Sequence, residues 1–225
     1  MRRFPEDRSH GTILSAARLI EKERQSRKIP SNCPKMPDAD GTNDYVADAE
    51  RAGLVRWKRA DMPIAVFIAE PSASAKDRKV LELVKQSFAE WCTAAPNLVS
   101  FKFVTNATDA KIHLIWGAKG NLPETAEAGE AQVEHIARDI TGCNIVLALD
   151  QDESNLDWDE KVHSTALHEI GHALGLIGHS PNSGDVMYYT ELMSGPVSAL
   201  SGRDKKTIQL LYGWSGSAPD SVSTK

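Results

Sequence analysis

Residues 163–189 read HSTALHEIGHALGLIGHSPNSGDVMYY, and this stretch decides fold and chemistry together. His168 and His172 are four residues apart. On a helix that spacing puts both imidazoles on one face, close enough to share one ion. Glu169 sits beside the first of them, where a carboxylate can reach a water at such an ion without ligating it. Leu167, Ile170 and Leu174 fall on the opposite side and give the helix an apolar face to bury. Gly175 is free to take positive φ, so it breaks the helix and turns the chain. His179 follows that turn and can return to the same ion as a third ligand. Three neutral imidazoles with a fourth position open form a catalytic zinc pattern; a structural site more often uses cysteines and closes all four positions. Asp185 is the nearest alternative oxygen donor for the third place.

Outward from this helix, strands and helices alternate irregularly. Residues 62–69 (MPIAVFIA) read as a buried strand. A helix follows in which Val80, Leu81, Val84, Phe88 and Trp91 recur at helical intervals, with Ser74 as its N-cap. Residues 99–105, 111–117, 131–137 and 144–149 are the next strands. The histidine helix covers roughly 158–176. A last helix starts after Ser201, with Asp204 three residues on and Ile208, Leu211 and Tyr212 along it. Such an order does not suit a doubly wound sheet, so the expected class is α+β, a mixed sheet of five strands with three helices. The first fifty residues read differently. Ile13, Ala17 and Ile20 fall at helical spacing and predict an amphipathic helix over about 12–28, and Pro30 to Gly41 is full of breakers. The expected organisation is a helical and irregular leader over 1–50, the main domain over 51–215 and a frayed tail over 216–225.

The chain's 225 residues, 41% hydrophobic and 25% charged, suit one soluble domain with an appendage. Twenty-six Lys and Arg against 31 Asp and Glu give a net charge of −5. That mild acidity argues against nucleic acid or an anionic membrane as the main partner. No apolar stretch approaches the ~20 residues that span a bilayer. The first residues carry arginines but no apolar run after them, so no secretory signal is visible. Three cysteines are too few for a disulfide scaffold. Cys92 and Cys143 read as core thiols, with a mutual disulfide as the alternative.

The run His168-Glu169-Ile170-Gly171-His172-Ala173-Leu174-Gly175-Leu176-Ile177-Gly178-His179, with Met187 downstream, resembles the metzincin zinc peptidases. Their pattern is H-E-x-x-H-x-x-G-x-x-H followed by a methionine turn under the metal. Here one extra residue separates the glycine from the third histidine, and Gly178 is placed to absorb it as a bulge. The likeness extends to the matrixin branch. Residues 55–68 (VRWKRADMPIAVFI) are similar to its first strand, 80–104 to its first helix and second strand, and 201–213 to its last helix. Coverage is about residues 50–214.

The resemblance implies a metzincin-like catalytic domain, a twisted sheet with three helices, that hydrolyses peptide bonds. One zinc ion would be held by His168, His172 and His179. Zinc would lower the pKa of a water from 15.7 toward about 7 and polarise the scissile carbonyl. Glu169 would take the proton of that water and hand it to the leaving amine. Met187 would pack under the ligands. The family also implies a monomer and a protein or peptide substrate extended along the edge strand near 131–137. Specificity would come from residues 189–198. Tyr189 stands where some metzincin branches carry a tyrosine that reaches the metal or the oxyanion, and where typical matrixins have proline. A donor to the oxyanion, a pocket wall and plain packing are all open readings for it.

Three further features follow from the same resemblance. Cys33-Pro34-Lys35-Met36-Pro37-Asp38 has the cysteine and the Pro-Asp of the matrixin latency segment, with one residue too many and no glycine. A thiolate cap on zinc and an ordinary loop cysteine are its two readings. The acidic run from Asp150 to Glu160 overlaps a region where matrixins bind calcium, so Ca2+ is a candidate second ion, against a solvated acidic face. His163 is offset by five residues from His168 and points elsewhere, His113 and His135 fall in strands, and no second zinc is expected. The family is mostly exported, which favours an extracellular or periplasmic place. Two rival readings stand beside the main one: a zinc peptidase with a different third ligand, and a zinc-containing binding module without turnover. Glu169 speaks against the second, since a structural site needs no general base.

Overall fold

A computed structural model describes residues 12–15, 44–71, 75–117, 128–148, 158–188, 197 and 199–213. The elements are β1 Thr12–Ser15, α1 Val46–Ala52, β2 Ile64–Ile68, α2 Ala75–Ala94, β3 Phe101–Val104, β4 Ile112–Gly117, β5 Gly129–Ile136, β6 Asp139–Ala148, α3 Trp158–Ala173 and α4 Gly202–Gly213. The α+β class holds: the expected five strands form a mixed sheet with β5 as the antiparallel member. Pairing is parallel for β2 with β3, β2 with β4 and β4 with β6, and antiparallel for β5 with β6. Parallel neighbours need a crossover, and α2 supplies the one from β2 to β3.

Alternation decides which side of the sheet is buried. Ile64 and Val66 on β2, Ile112 and Leu114 on β4, and Cys143, Ile145 and Leu147 on β6 are all buried, while Ile115 and Phe103 are exposed. The helices α2 and α3 pack against each other, and α3 also packs on β5 and β6. Val80, Val84, Phe88 and Trp91 line the inner side of α2, as their spacing predicts, and Trp91 Nε1 donates to the Leu167 carbonyl of α3 at 3.0 Å. This bond is the seam between the two large helices. Cys92 and Cys143 are both free thiols, so the mutual disulfide does not form.

One sequence expectation changes. The predicted helix over 12–28 starts instead as a strand: β1 lies on the outside of β5, antiparallel, giving the order β1-β5-β6-β4-β2-β3. Residues 16–28 lie outside the described residues. Short helices nucleate poorly with only a few spaced apolar residues, whereas a sheet rim offers a row of unmet backbone groups to a β-branched pair such as Thr12 and Ile13. Asp44 Oδ1 accepts from Val46 N at 3.2 Å and opens α1, and Tyr45 is only 2% exposed, its N–H donating to Thr207 Oγ1 of α4 at 3.0 Å. Tyr45 and Ala49 are buried residues that lie before the boundary expected at residue 51.

Candidate metal centre

Helix α3 is held as a rigid rod by what it buries. Ala166, Leu167, Ile170 and Ala173 are all at 0% exposure, and Asp159 and Glu160 sit in the first turn, where the helix dipole favours acidic groups. Its last carbonyls, which have no partner inside the helix, are taken by side chains. Trp57 Nε1 donates to Ala173 O at 2.8 Å and Tyr212 Oη to Leu174 O at 2.8 Å. Gly175 then turns the chain at φ +100°, with the Val55 carbonyl 2.1 Å from where a Cβ would sit. Both the dihedral and the space demand glycine there.

The turn returns His179 to the other two imidazoles, despite the extra residue in the spacing. The three rings are 4.6, 5.3 and 4.9 Å apart between centroids, and one ligand atom from each lies within 4.8 Å of the others. Gly178 sits against the Asp48 carbonyl of α1, so the added residue is taken up where the loop meets that helix. Asp185 does not join the imidazoles. It bonds the Ser180 hydroxyl and accepts from Arg203 Nε at 3.0 Å.

The hydrogen bonds of the rings fix their tautomers. His168 Nδ1–H donates to the Val186 carbonyl at 2.7 Å, and His172 Nδ1–H donates to the Leu176 carbonyl at 2.6 Å. A carbonyl only accepts, so each neutral ring keeps its lone pair on Nε2. Those two Nε2 atoms stand 3.0 Å apart. Two lone pairs at that distance repel unless a cation lies between them. Burial holds both rings below the usual histidine range, His172 well below it, where neighbouring His168 and His179 add to the effect. Buried, neutral, oriented imidazoles fit a borderline-soft divalent ion such as zinc, with backbone carbonyls as the outer partners.

Glu169 is 6% exposed and points toward β5. A Cβ placed on Gly129 would stand 2.7 Å from Glu169 Cγ, so only glycine at the start of β5 leaves room for this side chain. Burial and then the nearby Glu130 carboxylate push the Glu169 carboxyl up to about 8, against a hydrogen bond from the Ala131 backbone. Its Oε2 is buried without a hydrogen-bond partner. That oxygen, one residue along the chain from His168, calls for a partner that the described residues do not supply.

Met187 is fully buried, and a Cβ on Gly171 would meet its Sδ at 2.3 Å. Gly171 is thus the slot that lets the methionine turn press on the ligand helix between His168 and His172. The turn itself is pinned from behind. Ser180 N donates to Met187 O at 2.7 Å, and Asp204 Oδ2 accepts from Val186 N at 3.0 Å and from Ser201 N at 2.9 Å. Asp204 Oδ1 accepts from Tyr45 Oη at 2.7 Å. A relay therefore runs from Tyr45 through Asp204 and Val186 to the ring of His168. The sequence marked Asp204 as a cap and not as this hub.

Other sequence candidates fall apart from the centre. His163 Nε2 is 2.9 Å from Glu90 Oε1, His113 Nε2 donates to Ala107 O, and His135 Nδ1 donates to Ala137 O. Among the described residues the three-imidazole group is the metal-ligating cluster. Asp159 pairs with Lys79. Tyr189, Cys33 and Asp150 to Asp157 lie outside the described residues.

A mixed sheet, a helix bearing two imidazoles and a carboxylate, and a third imidazole returned by a glycine turn define a centre fit to hold one metal ion. The Peptidase_M10 (Matrixin) family profile matches residues 56–213, and the chain belongs to the matrixin family. Among its relatives, the interstitial collagenase of Oryctolagus cuniculus is 25% identical over 228 residues, 94% of this chain and 46% of that protein. That of Sus scrofa is 28% identical over 188 residues, 81% of this chain and 38% of that protein. The chain thus spans less than half the length of these relatives.

Proposed function

We propose that the protein is a zinc-dependent endopeptidase that hydrolyses peptide bonds in proteins or extended peptides. The observation that carries this is the pair of inward Nε2 lone pairs on His168 and His172, 3.0 Å apart, with Glu169 buried beside them. His168, His172 and His179 would hold the ion, which supplies Lewis-acid polarisation of the scissile carbonyl and acidifies a water. Glu169 Oε2 takes that water's proton and delivers it to the leaving nitrogen. Met187 supports the ligand helix without touching the reaction. The substrate adds as a strand along β5, whose Gly129 end abuts Glu169, and backbone hydrogen bonds give it register. Tyr189, two residues after the methionine, is proposed as a wall of the side-chain pocket or a donor to the oxyanion. Kinship with the matrixins favours work outside the cytoplasm.

Casein hydrolysis by the zinc-loaded chain, compared with Glu169→Gln, tests this reading. Cleavage by the first alone, with equal zinc in both, is the expected result. A folded, zinc-loaded chain whose turnover matches that of Glu169→Gln would make the centre a zinc-containing binding module.

A further inference from the structure

Helix α4 reaches the metal centre through two neighbouring residues that address two different imidazoles. Ser201 Oγ accepts from the N–H groups of Arg203 and Asp204 at 3.1 and 3.0 Å, which fixes the first turn of the helix. Asp204 holds Val186 N, and the Val186 carbonyl orients His168. Arg203 turns to the other arm of the same loop. Its Nε donates to Asp185 Oδ2 at 3.0 Å, and one Nη lies 3.4 Å from Ser180 Oγ. Ser180 gives its hydroxyl proton to the same Asp185 oxygen and accepts from Asn182 N at 3.1 Å. Its own N–H donates to the Met187 carbonyl at 2.7 Å. Ser180 directly follows His179, so the chain that carries the third imidazole is anchored, by backbone and side chain, one residue past the ring.

A buried ion pair is not needed to close this loop. The bonds from Ser180 N to Met187 O and from Asp185 N to Asn182 O close it with backbone alone. Yet the Asp185 side chain is 3% exposed and that of Arg203 15%. Such a pair adds little net stability once desolvation is counted, and what it can add is a defined geometry. We propose that Arg203 and Asp185 are a positioning pair for the third imidazole, acting on His179 through Ser180. This rests on the reading that His168, His172 and His179 hold a metal ion, and not on hydrolysis. Docking of α4 and binding of the ion at His179 are then coupled, and each strengthens the other by the same factor. The Asp204 arm does not pass through Ser180, so His168 keeps its aim when Arg203 is lost. The carboxylate that spacing offers as a rival third ligand serves the third ligand from behind.

The test is a zinc competition titration on the full chain. Arg203→Gln, Asp185→Asn and Ser180→Ala should each weaken zinc about tenfold, the lower end of what loss of an outer partner costs. Arg203→Gln added to Ser180→Ala should cost less than about twofold more, because residues on one route are not additive. With cobalt(II) in place of zinc, the visible ligand-field band reports the geometry of the ligands and should change in the same variants. A pair that only braces the fold would lower the urea midpoint of zinc-free and zinc-loaded chains alike and leave both metal readouts where they are. That result overturns the proposal, and so do additive losses in the double variant. If Arg203→Gln does not fold, Ser180→Ala and Asp185→Asn carry the test, since the first keeps the ion pair and the second keeps the shape. Unchanged zinc affinity in both overturns it. A parent chain that takes up no zinc overturns the metal centre and the coupling together. Zinc losses as expected in a chain that cleaves no peptide remove the peptidase reading and keep the coupling.

Discussion

His163 and His172 stand on the same helix, both buried, and use their ring nitrogens in opposite ways. His163 faces the Glu90 carboxylate of α2 with Nε2 at 2.9 Å, which satisfies it. His172 gives its Nδ1–H to a backbone carbonyl and leaves Nε2 facing another lone pair. Residue type, helix and burial are shared, so none of them separates His163 from a member of the three-imidazole group. What faces Nε2 separates them: a carboxylate meets it in His163, whereas in His172, whose Nδ1–H is spent on a carbonyl, it faces the Nε2 of another imidazole. His168 repeats the second arrangement through Val186.

Substitutions can sharpen or break this contrast, beginning with the largest effect. Glu169→Gln should keep one zinc per chain and lose about 10²–10⁴-fold in peptide hydrolysis, since it removes the acid–base group and not a ligand. Zinc loss in that variant, read by metal analysis after dialysis, would place Glu169 among the ligands. His172→Ala should weaken zinc binding by at least about 100-fold in a competition titration, because losing an outer partner alone costs 10–100-fold. His179→Ala should do the same, and unchanged affinity there would mean that the third ligand comes from elsewhere. Gly171→Ala drives a methyl group into Met187 Sδ, so it should lower stability by about 1–3 kcal/mol in urea unfolding. Tyr45→Phe leaves Asp204 Oδ1 without its donor and should cost about 1–3 kcal/mol by the same measurement. His163→Gln should be the mildest. Zinc content and kcat stay put, and stability falls by about 1 kcal/mol at most, the worth of one partly exposed hydrogen bond. A loss of zinc in His163→Gln would erase the distinction between the two histidines.

The ligand helix was legible because its chemistry and its periodicity lie in one short segment. The closeness of His168 and His172 follows from spacing alone, and Gly175 announces the turn that returns His179. The strands β2 to β6 were readable from apolar alternation, though β6 begins five residues earlier than expected, since its first half carries Asp139, Thr141 and Gly142 between its apolar residues. What the sequence hid depends on contacts between distant segments. Gly129 and Gly171 look like ordinary glycines until Glu169 and Met187 are seen filling the space a Cβ would take. Tyr45 has no periodic neighbours to mark it as core, because its partners are 159 and 162 positions away on α4. The leader misled for another reason. The spacing of Ile13, Ala17 and Ile20 matches a helical period, and only the rim of β5 makes Thr12–Ser15 a strand.

The link from Tyr45 to His168 bears on where the protein can be cut. A shortened chain starting at residue 51, the boundary suggested by composition, would retain every residue that the motif marks for catalysis. It would lack the phenol that bonds Asp204 and the backbone of Asp48 that backs Gly178. Such a protein would carry a complete set of imidazoles on a mount stripped of the Tyr45–Asp204 bond, so the choice of a cut turns on that hydroxyl and not on the outline of the motif.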